Sequence, residues 1–285
     1  MRSSAKRQAE REFAFSDAEF RFLSKTVYDN VGIVLSEQKR DMVYTRLARR
    51  LRSLGLQTFA EYCEVLKGSE AESEFGYLIN AITTNHTRFF REPHHFQHLR
   101  NTILRRFAKD LRNKRASSLK IWSAGCSTGE EPYSAAMAIA ASLARAEAEK
   151  VKILATDLDT NVLEACRRGR YANDSLSAVP APLLRRFVKP TEIEGVSAID
   201  ERLKSLITFK QLNLLHDWPM KGPFDLIFCR NVMIYFDNET RDRLIRRYAG
   251  LLRPGGFFYL GHSESLLGHG EIFELESSST YQKRG

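Results

Sequence analysis

Residues 123–131 read Ser-Ala-Gly-Cys-Ser-Thr-Gly-Glu-Glu, a run of small side chains closed by two adjacent carboxylates. Small side chains let backbone N–H groups approach a ligand closely. A turn of this kind between an apolar run and a helix start holds nucleotide-like ligands against an α/β sheet. The apolar run is Leu119–Trp122, and the helical pattern is Ala135–Leu143 with Pro132 near its start. Gly125 and Gly129 alone would carry little weight. Glu130 and Glu131, however, stand where a phosphate-cradling loop places Lys-Ser or Lys-Thr. Acids there suit a ligand that presents hydroxyls or a cation, not a triphosphate.

In an open α/β sheet, ligands bind beyond the carboxyl ends of the strands, so the other strand ends bear on the same chemistry. The second apolar run ends in Thr156-Asp157-Leu158-Asp159. An acid there can accept both hydrogen bonds of a ribose diol, and either Asp can instead cap the following helix. We assign the ribose to Asp157 and the cap to Asp159. The third run ends in Asn213-Leu214, suited to the edge of an adenine. The fourth ends in Cys-Arg-Asn-Val-Met-Ile-Tyr-Phe, residues 229–236, which gathers a guanidinium, an amide and a phenol.

The elements that must position these groups are legible from periodicity. Strand-like runs fall at 119–122, 151–155, 207–211, 224–228 and 257–260, with 280–282 weaker. Helical patterns lie at 132–146, 160–168 and 238–252, and the alternation predicts a parallel sheet with helices on both faces. Residues 171–206 interrupt it as an insertion. From Ser16 to about Ile82 the pattern is helical throughout, and residues 1–12 are expected to be a frayed tail. Within 36–54, Val43, Leu47, Leu51 and Leu54 share one face, and Gly55 is placed to end the helix. Arg46, Arg49 and Arg50 cluster on another flank. That flank reads equally as a grip for an acidic helix or nucleic acid and as a solvated face. His94 and His95 have no third ligand at helical spacing, so no metal is expected.

The 285 residues suit one large domain or two unequal ones. No run approaches the roughly 18–20 apolar residues that cross a membrane, and Met-Arg-Ser-Ser-Ala-Lys-Arg has no apolar stretch behind it, so neither a secretory signal nor membrane insertion is expected. The four cysteines are widely spaced without a CxxC pair, which argues against zinc and disulfides and fits a reducing cytoplasm. Residues 1–116 carry 22 Lys and Arg against 14 Asp and Glu, whereas the remainder carries 22 against 21. The positive field therefore belongs to the N-terminal part and suits an acidic partner.

Taken together, these residues resemble a class I S-adenosylmethionine methyltransferase, and more closely the chemotaxis-receptor glutamate O-methyltransferases, the CheR family. Five motifs in order carry the resemblance over nearly the whole chain. They are Asn-x-Thr-x-Phe-Phe-Arg-Glu at 85–92, Trp-Ser-Ala-Gly-Cys-Ser-Thr-Gly-Glu-Glu-Pro-Tyr-Ser at 122–134, Ala-Thr-Asp-Leu-Asp at 155–159, Asn-Leu-Leu at 213–215 and Phe-Cys-Arg-Asn-Val-Met-Ile-Tyr-Phe at 228–236. The resemblance implies a small helical domain at 1–90, then a Rossmann-like α/β methyltransferase domain at 91–285 with a small β insertion. It implies cofactor contacts from Asn85, Thr87, Arg91, Gly125, Asp157, Asn213, Leu214, Arg230 and Asn231, with Glu130 and Glu131 not separated. Arg91 and Tyr235 would serve methyl transfer, Arg46, Arg49 and Arg50 would serve substrate docking, and S-adenosylhomocysteine would be the product, with no metal. The acceptor would be glutamates on the acidic cytoplasmic helices of a chemoreceptor, with the enzyme a cytoplasmic monomer working at receptor arrays.

The insertion departs from the pattern. Relatives that tether to a receptor C-terminal pentapeptide have a glycine-rich loop there, whereas 189–197 contains only Gly195; no such tether is expected. A nucleic-acid methyltransferase is the nearest rival, since a basic surface favours phosphates. The Asn/Asp-Pro-Pro-aromatic motif of amino-methylating enzymes is absent after the fourth run, and no cysteine follows a proline. Nucleic acid is therefore not expected. A module that senses the cofactor without catalysis is the other rival, and a nicotinamide dehydrogenase lacks its Gly-x-Gly-x-x-Gly turn.

Overall fold

The computed structural model describes residues 11–69, 71–83 and 85–285. Most of the predicted N-terminal tail, residues 1–10, lies outside the described residues. The chain divides into two compact units, with the division falling between Thr84 and Asn85 and with Tyr235–Asp237 joining the first unit.

The first unit is helical: α1 (Asp17–Val31), a 3-10 turn (Glu37–Lys39), α2 (Arg40–Leu54), α3 (Phe59–Val65) and α4 (Ala71–Ile82). Ser16 and Glu19 form a reciprocal capping box at the start of α1, and Gly32 ends it at φ 70°. The stripe read from the sequence is buried: Val43, Leu47 and Leu51 join Leu23, Val27, Phe59 and Leu78 in the core. Leu54 is the exception, remaining exposed at the last turn. The helix expected over 36–54 is preceded by the separate 3-10 turn.

The second unit opens with α5 (Pro93–His98), which runs through a π-wound stretch (Leu99–Leu104) into α6 (Arg105–Arg112). There follow β1 (Leu119–Ala124), α7 (Glu130–Ser142), α8 (Arg145–Ala148), β2 (Val151–Asp157) and α9 (Thr160–Arg168). The insertion then contributes β3 (Arg170–Ala172), α10 (Ala181–Phe187), β4 (Val188–Pro190), β5 (Val196–Ile199) and α11 (Glu201–Lys204). The unit closes with β6 (Ile207–Gln211), β7 (Phe224–Cys229), α12 (Asn238–Leu251), β8 (Leu252–Leu260), β9 (Phe273–Ser277) and β10 (Thr280–Lys283).

The main sheet has seven strands in the order β6-β2-β1-β7-β8-β10-β9. The run from β6 to β8 is parallel, whereas β10 is antiparallel to β8 and β9 to β10. Parallel strands covered on both faces must be apolar almost throughout, which is why they stand out in the sequence. β9, with Phe273 buried and its other residues exposed, is a short edge strand that the apolar runs did not predict. The insertion builds a separate antiparallel sheet in the order β3-β5-β4. Successive connections lead outward from β1 to β2 and β6, and the chain then returns to β7 on the other side of β1. That reversal opens a crevice beyond the carboxyl ends of β1 and β7. Among the described residues, no helix is long and apolar enough to cross a membrane.

Candidate functional site

The carboxyl ends of β6, β2, β1 and β7 lie side by side, so Gln211, Asp157, Ala124 and Cys229 lead into one row of loops. Gly125 and Cys126 both donate their N–H to Thr156 O, at 2.8 and 2.9 Å, folding the small-residue turn back onto β2. Gly125 has φ 76°, and a Cβ there would stand 2.4 Å from Val232 Cγ2. Glycine is therefore required twice over, for backbone angle and for clearance. Gly129, at φ 99°, caps α7, and a Cβ on it would meet the Tyr171 hydroxyl at 2.8 Å.

Asp157 sits at the centre of this row. One carboxylate oxygen accepts from Ser127 N at 2.7 Å, and the other accepts from Asp159 N at 3.0 Å. Each oxygen retains a lone pair for a hydroxyl. Burial pushes its pKa up to about 6, against the opposing pull of these backbone N–H groups. Asp159 is the N-cap of α9, accepting from Asn161 N and Val162 N, as expected. It also does something the sequence did not reveal: its Oδ2 accepts from Asn85 Nδ2 at 2.8 Å. Ser127 Oγ in turn donates to Asn85 O at 3.2 Å. The motif segment at 85–92 is thereby fastened to the Gly125 turn and to the end of β2. Phe90 N, donating to Ser134 Oγ at 2.9 Å, fastens the same segment to α7.

The two adjacent acids separate in space. Glu130 accepts from Thr128 Oγ1 at 2.7 Å. Glu131 accepts from Ser123 Oγ at 2.7 Å and from Arg230 Nη1 at 2.9 Å. Burial raises the pKa of both, with Arg230 pulling against it at Glu131. Both stand in the first turn of α7, where the helix dipole favours negative charge. Arg230 also donates to Arg91 O and approaches Glu92 Oε2 at 3.4 Å. Glu92 itself accepts from His262 N at 3.2 Å. Burial works to raise its pKa, but Arg230 and His262 outweigh it and hold the carboxyl below its ordinary value.

Glu264 fixes the loop after β7. Its carboxylate accepts from Asn231 N at 2.7 Å, Val232 N at 3.0 Å, Ile234 N at 3.3 Å and Gly261 N at 2.7 Å. Asn231 is thereby held at φ 59°, in the left-handed region. At the end of β6, Asn213 Oδ1 accepts from Leu215 N at 3.0 Å, and Leu214 O accepts from Trp218 Nε1 and Arg247 Nη1. Thr87 and Arg91 are half-buried, and Arg91 Nη1 donates to His86 O at 3.0 Å.

The second unit thus contains Asn85, Thr87, Arg91, Gly125, Glu130, Glu131, Asp157, Asn213, Leu214, Arg230 and Asn231. Tyr235 belongs to the helical unit: its carbonyl accepts from Val34 N at 2.9 Å, and Lys39 Nζ lies 5.1 Å from its ring centre. The arginine flank of α2 does not remain a free patch. Arg46 donates to Ala81 O and Thr83 O at 3.1 and 2.7 Å. Arg50 pairs with buried Glu74 at 2.6 Å and covers the Tyr77 ring. These two hold α2 to α4, and Arg49 alone of the three is exposed.

His94 and His95 do have a third potential ligand close by, contrary to expectation. It is Glu92, and the ligand atoms of the three lie within 4.8 Å of one another. Glu92, the N-cap of α5 at φ 56°, stands three residues before His95, with its carboxylate 3.6 Å from His95 Nδ1. Arg230 pairs with this carboxylate, and its positive charge opposes a second cation there.

Comparisons with known proteins give the family. The model of the CheR methyltransferase SAM binding domain matches residues 85–282, and that of the CheR methyltransferase all-alpha domain matches 18–83. The chain is 43% identical over 277 residues to the chemotaxis protein methyltransferase of Escherichia coli K12, covering 96% of this chain and 93% of that one. It is 42% identical over 273 residues to chemotaxis protein methyltransferase 2 of Pseudomonas aeruginosa, covering 95% and 94%.

Proposed function

The chain belongs to the CheR methyltransferase family and is an S-adenosylmethionine-dependent methyltransferase of chemotaxis, and from that premise we propose that its acceptor is the side-chain carboxylate of glutamates on chemoreceptor cytoplasmic helices. The products would be glutamate methyl esters and S-adenosylhomocysteine. The likeness to chemotaxis protein methyltransferases supports the acceptor, and the observation that carries the cofactor part of the reading is the Gly125 turn, close against Val232 beside the Asp157 carboxylate.

The residues present fit the cofactor. Asp157 offers an acceptor on each oxygen to a ribose diol, and Asn213 and Leu214 stand at the neighbouring strand end for the adenine. Gly125 brings the backbone close without a side chain. Asn85, Thr87, Glu130 and Asn231 complete the proposed contacts. Glu131 and Arg230, paired and buried, are given the further task of holding β1, β7 and the 85–92 segment in register. When bound, S-adenosylmethionine supplies an electrophilic methyl group on a sulfonium.

The protein's own contribution is binding, orientation and exclusion of water. A glutamate carboxylate, with a pKa of about 4.3, is already ionised at neutral pH and needs no general base. An in-line displacement then depends on alignment and desolvation. Arg91 is assigned to a carboxylate, that of the acceptor or that of the cofactor, and Tyr235 to orienting the acceptor by a hydrogen bond. Arg91→Ala and Tyr235→Phe, assayed for both S-adenosylhomocysteine affinity and turnover, separate these roles. Loss of affinity in Arg91→Ala assigns it to the cofactor, and loss of turnover alone assigns it to the acceptor. If neither change lowers turnover tenfold, both assignments fail. The same reading has the enzyme act as a cytoplasmic monomer. No pentapeptide tether is included, because the hairpin joining β4 and β5 carries only Gly195.

A further inference from the structure

Beside α5 the methyltransferase unit carries a groove of about 540 Å³ that shares no lining residue with the proposed cofactor contacts. Its apolar lining includes Phe90, Phe96 and Leu183 of α10. Its polar lining is Arg88, Gln97 and Arg100, all exposed, and none of its lining residues is acidic. Gln97 on α5 and Arg100 in the π-wound stretch that continues it stand three residues apart, both exposed. Arg185 and Arg186 follow Leu183 on α10, and both are exposed.

A concave apolar floor with a cationic rim accepts a convex ligand that has an apolar ridge and acidic flanks. An amphipathic helix has that form. A bilayer surface would instead call for apolar residues that protrude from the protein. We infer that this groove is a docking surface for an acidic amphipathic helix of the methyl-acceptor protein, in addition to the helical unit. The inference rests on the acceptor reading given above, in which the substrate is an acidic helical array. Arg88 lies three residues before Arg91, so a helix held here is tied to the segment assigned to the reaction. Charge complementarity at an exposed rim acts mainly on encounter and is screened by salt.

The test uses the full chain and a recombinant cytoplasmic helical fragment of a chemoreceptor as the probe. In the double variant R88E/R100E, KM for the fragment rises about tenfold or more. Saturating kcat and calorimetric S-adenosylhomocysteine affinity stay within twofold of the parent, and the salt dependence of kcat/KM flattens. Leu183→Ala, which removes apolar floor without changing charge, also raises KM and leaves the salt dependence intact. Unchanged KM in both variants overturns the inference. If the parent enzyme transfers no methyl group to the fragment, the acceptor reading fails on its own. Fluorescence anisotropy of the labelled fragment then decides the groove: binding that R88E/R100E loses supports it, and equal or absent binding overturns it. Sedimentation with anionic lipid vesicles that R88E/R100E loses, with fragment binding unchanged, would overturn it in favour of a lipid surface.

Discussion

Arg230 Nη1 stands 2.9 Å from Glu131 Oε2, and the two side chains are 3% and 11% exposed. Their ion pair spans β7 and α7 across the crevice at which the strand order reverses. Removing one member of a buried pair leaves the other without its counter-charge, which costs about 3–5 kcal/mol. Arg230→Ala is therefore expected to lower the stability of the methyltransferase unit by about that amount. Both tryptophans, Trp122 and Trp218, lie in this unit 4.9 Å apart, so their fluorescence during urea unfolding reports on it directly. Arg230→Lys keeps the charge and loses the planar fork, and is expected to fall between the two. Parental stability in Arg230→Ala would rule out the bracing role.

Asp157 provides a pH signature. Its pKa is raised to about 6, so the carboxylate is present above that pH and progressively protonated below it. The ionised form accepts from two hydroxyls, whereas the neutral acid carries a proton of its own. Cofactor affinity is therefore expected to be full at pH 7.5 and about tenfold weaker at pH 5, by linkage to one proton. Calorimetry with S-adenosylhomocysteine across this range measures it. Asp157→Asn should bind weakly at every pH and lose the step near 6. A step of the same size in that variant would place the titration elsewhere.

Gly125 and Val232 allow steric fit to be separated from backbone strain. A Cβ at 125 would stand 2.4 Å from Val232 Cγ2, and φ 76° is strained for any other residue. The left-handed conformation alone costs about 1–2 kcal/mol. Gly125→Ala is expected to weaken S-adenosylhomocysteine binding at least tenfold, and Val232→Ala in the same chain should restore part of that loss. Full affinity in Gly125→Ala would show that the turn does not hold the cofactor.

Much of the site was legible because a buried parallel strand is an apolar run, and the polar residues at its end are conspicuous. Leu119–Trp122 was such a run, yet β1 continues through Ser123 and Ala124. Ser123 is buried because its hydroxyl donates to Glu131, a partner that the apolar pattern cannot show. α7 begins at Glu130 and not at Pro132, since Gly129 in the left-handed region starts the helix two residues earlier. The loop around Asn231 is conspicuous in the sequence, but Glu264, which fixes it through backbone N–H groups, lies 33 residues further on. Glu92 and Arg230 are likewise 138 residues apart. On α2, the spacing of Arg46, Arg49 and Arg50 showed a common flank. It could not show that α4 offers Glu74 and the end-carbonyls to two of them.

The most direct measurement is transfer of a radiolabelled methyl group from S-adenosylmethionine to a chemoreceptor cytoplasmic fragment, with the label then tested for lability to base. Label is expected on glutamate side chains, released as methanol by mild alkali, with no label when Asp157→Asn replaces the parent at low cofactor concentration. Cofactor binding without transfer to the fragment, or label that resists alkali, would contradict the assignment of a glutamate carboxylate as acceptor.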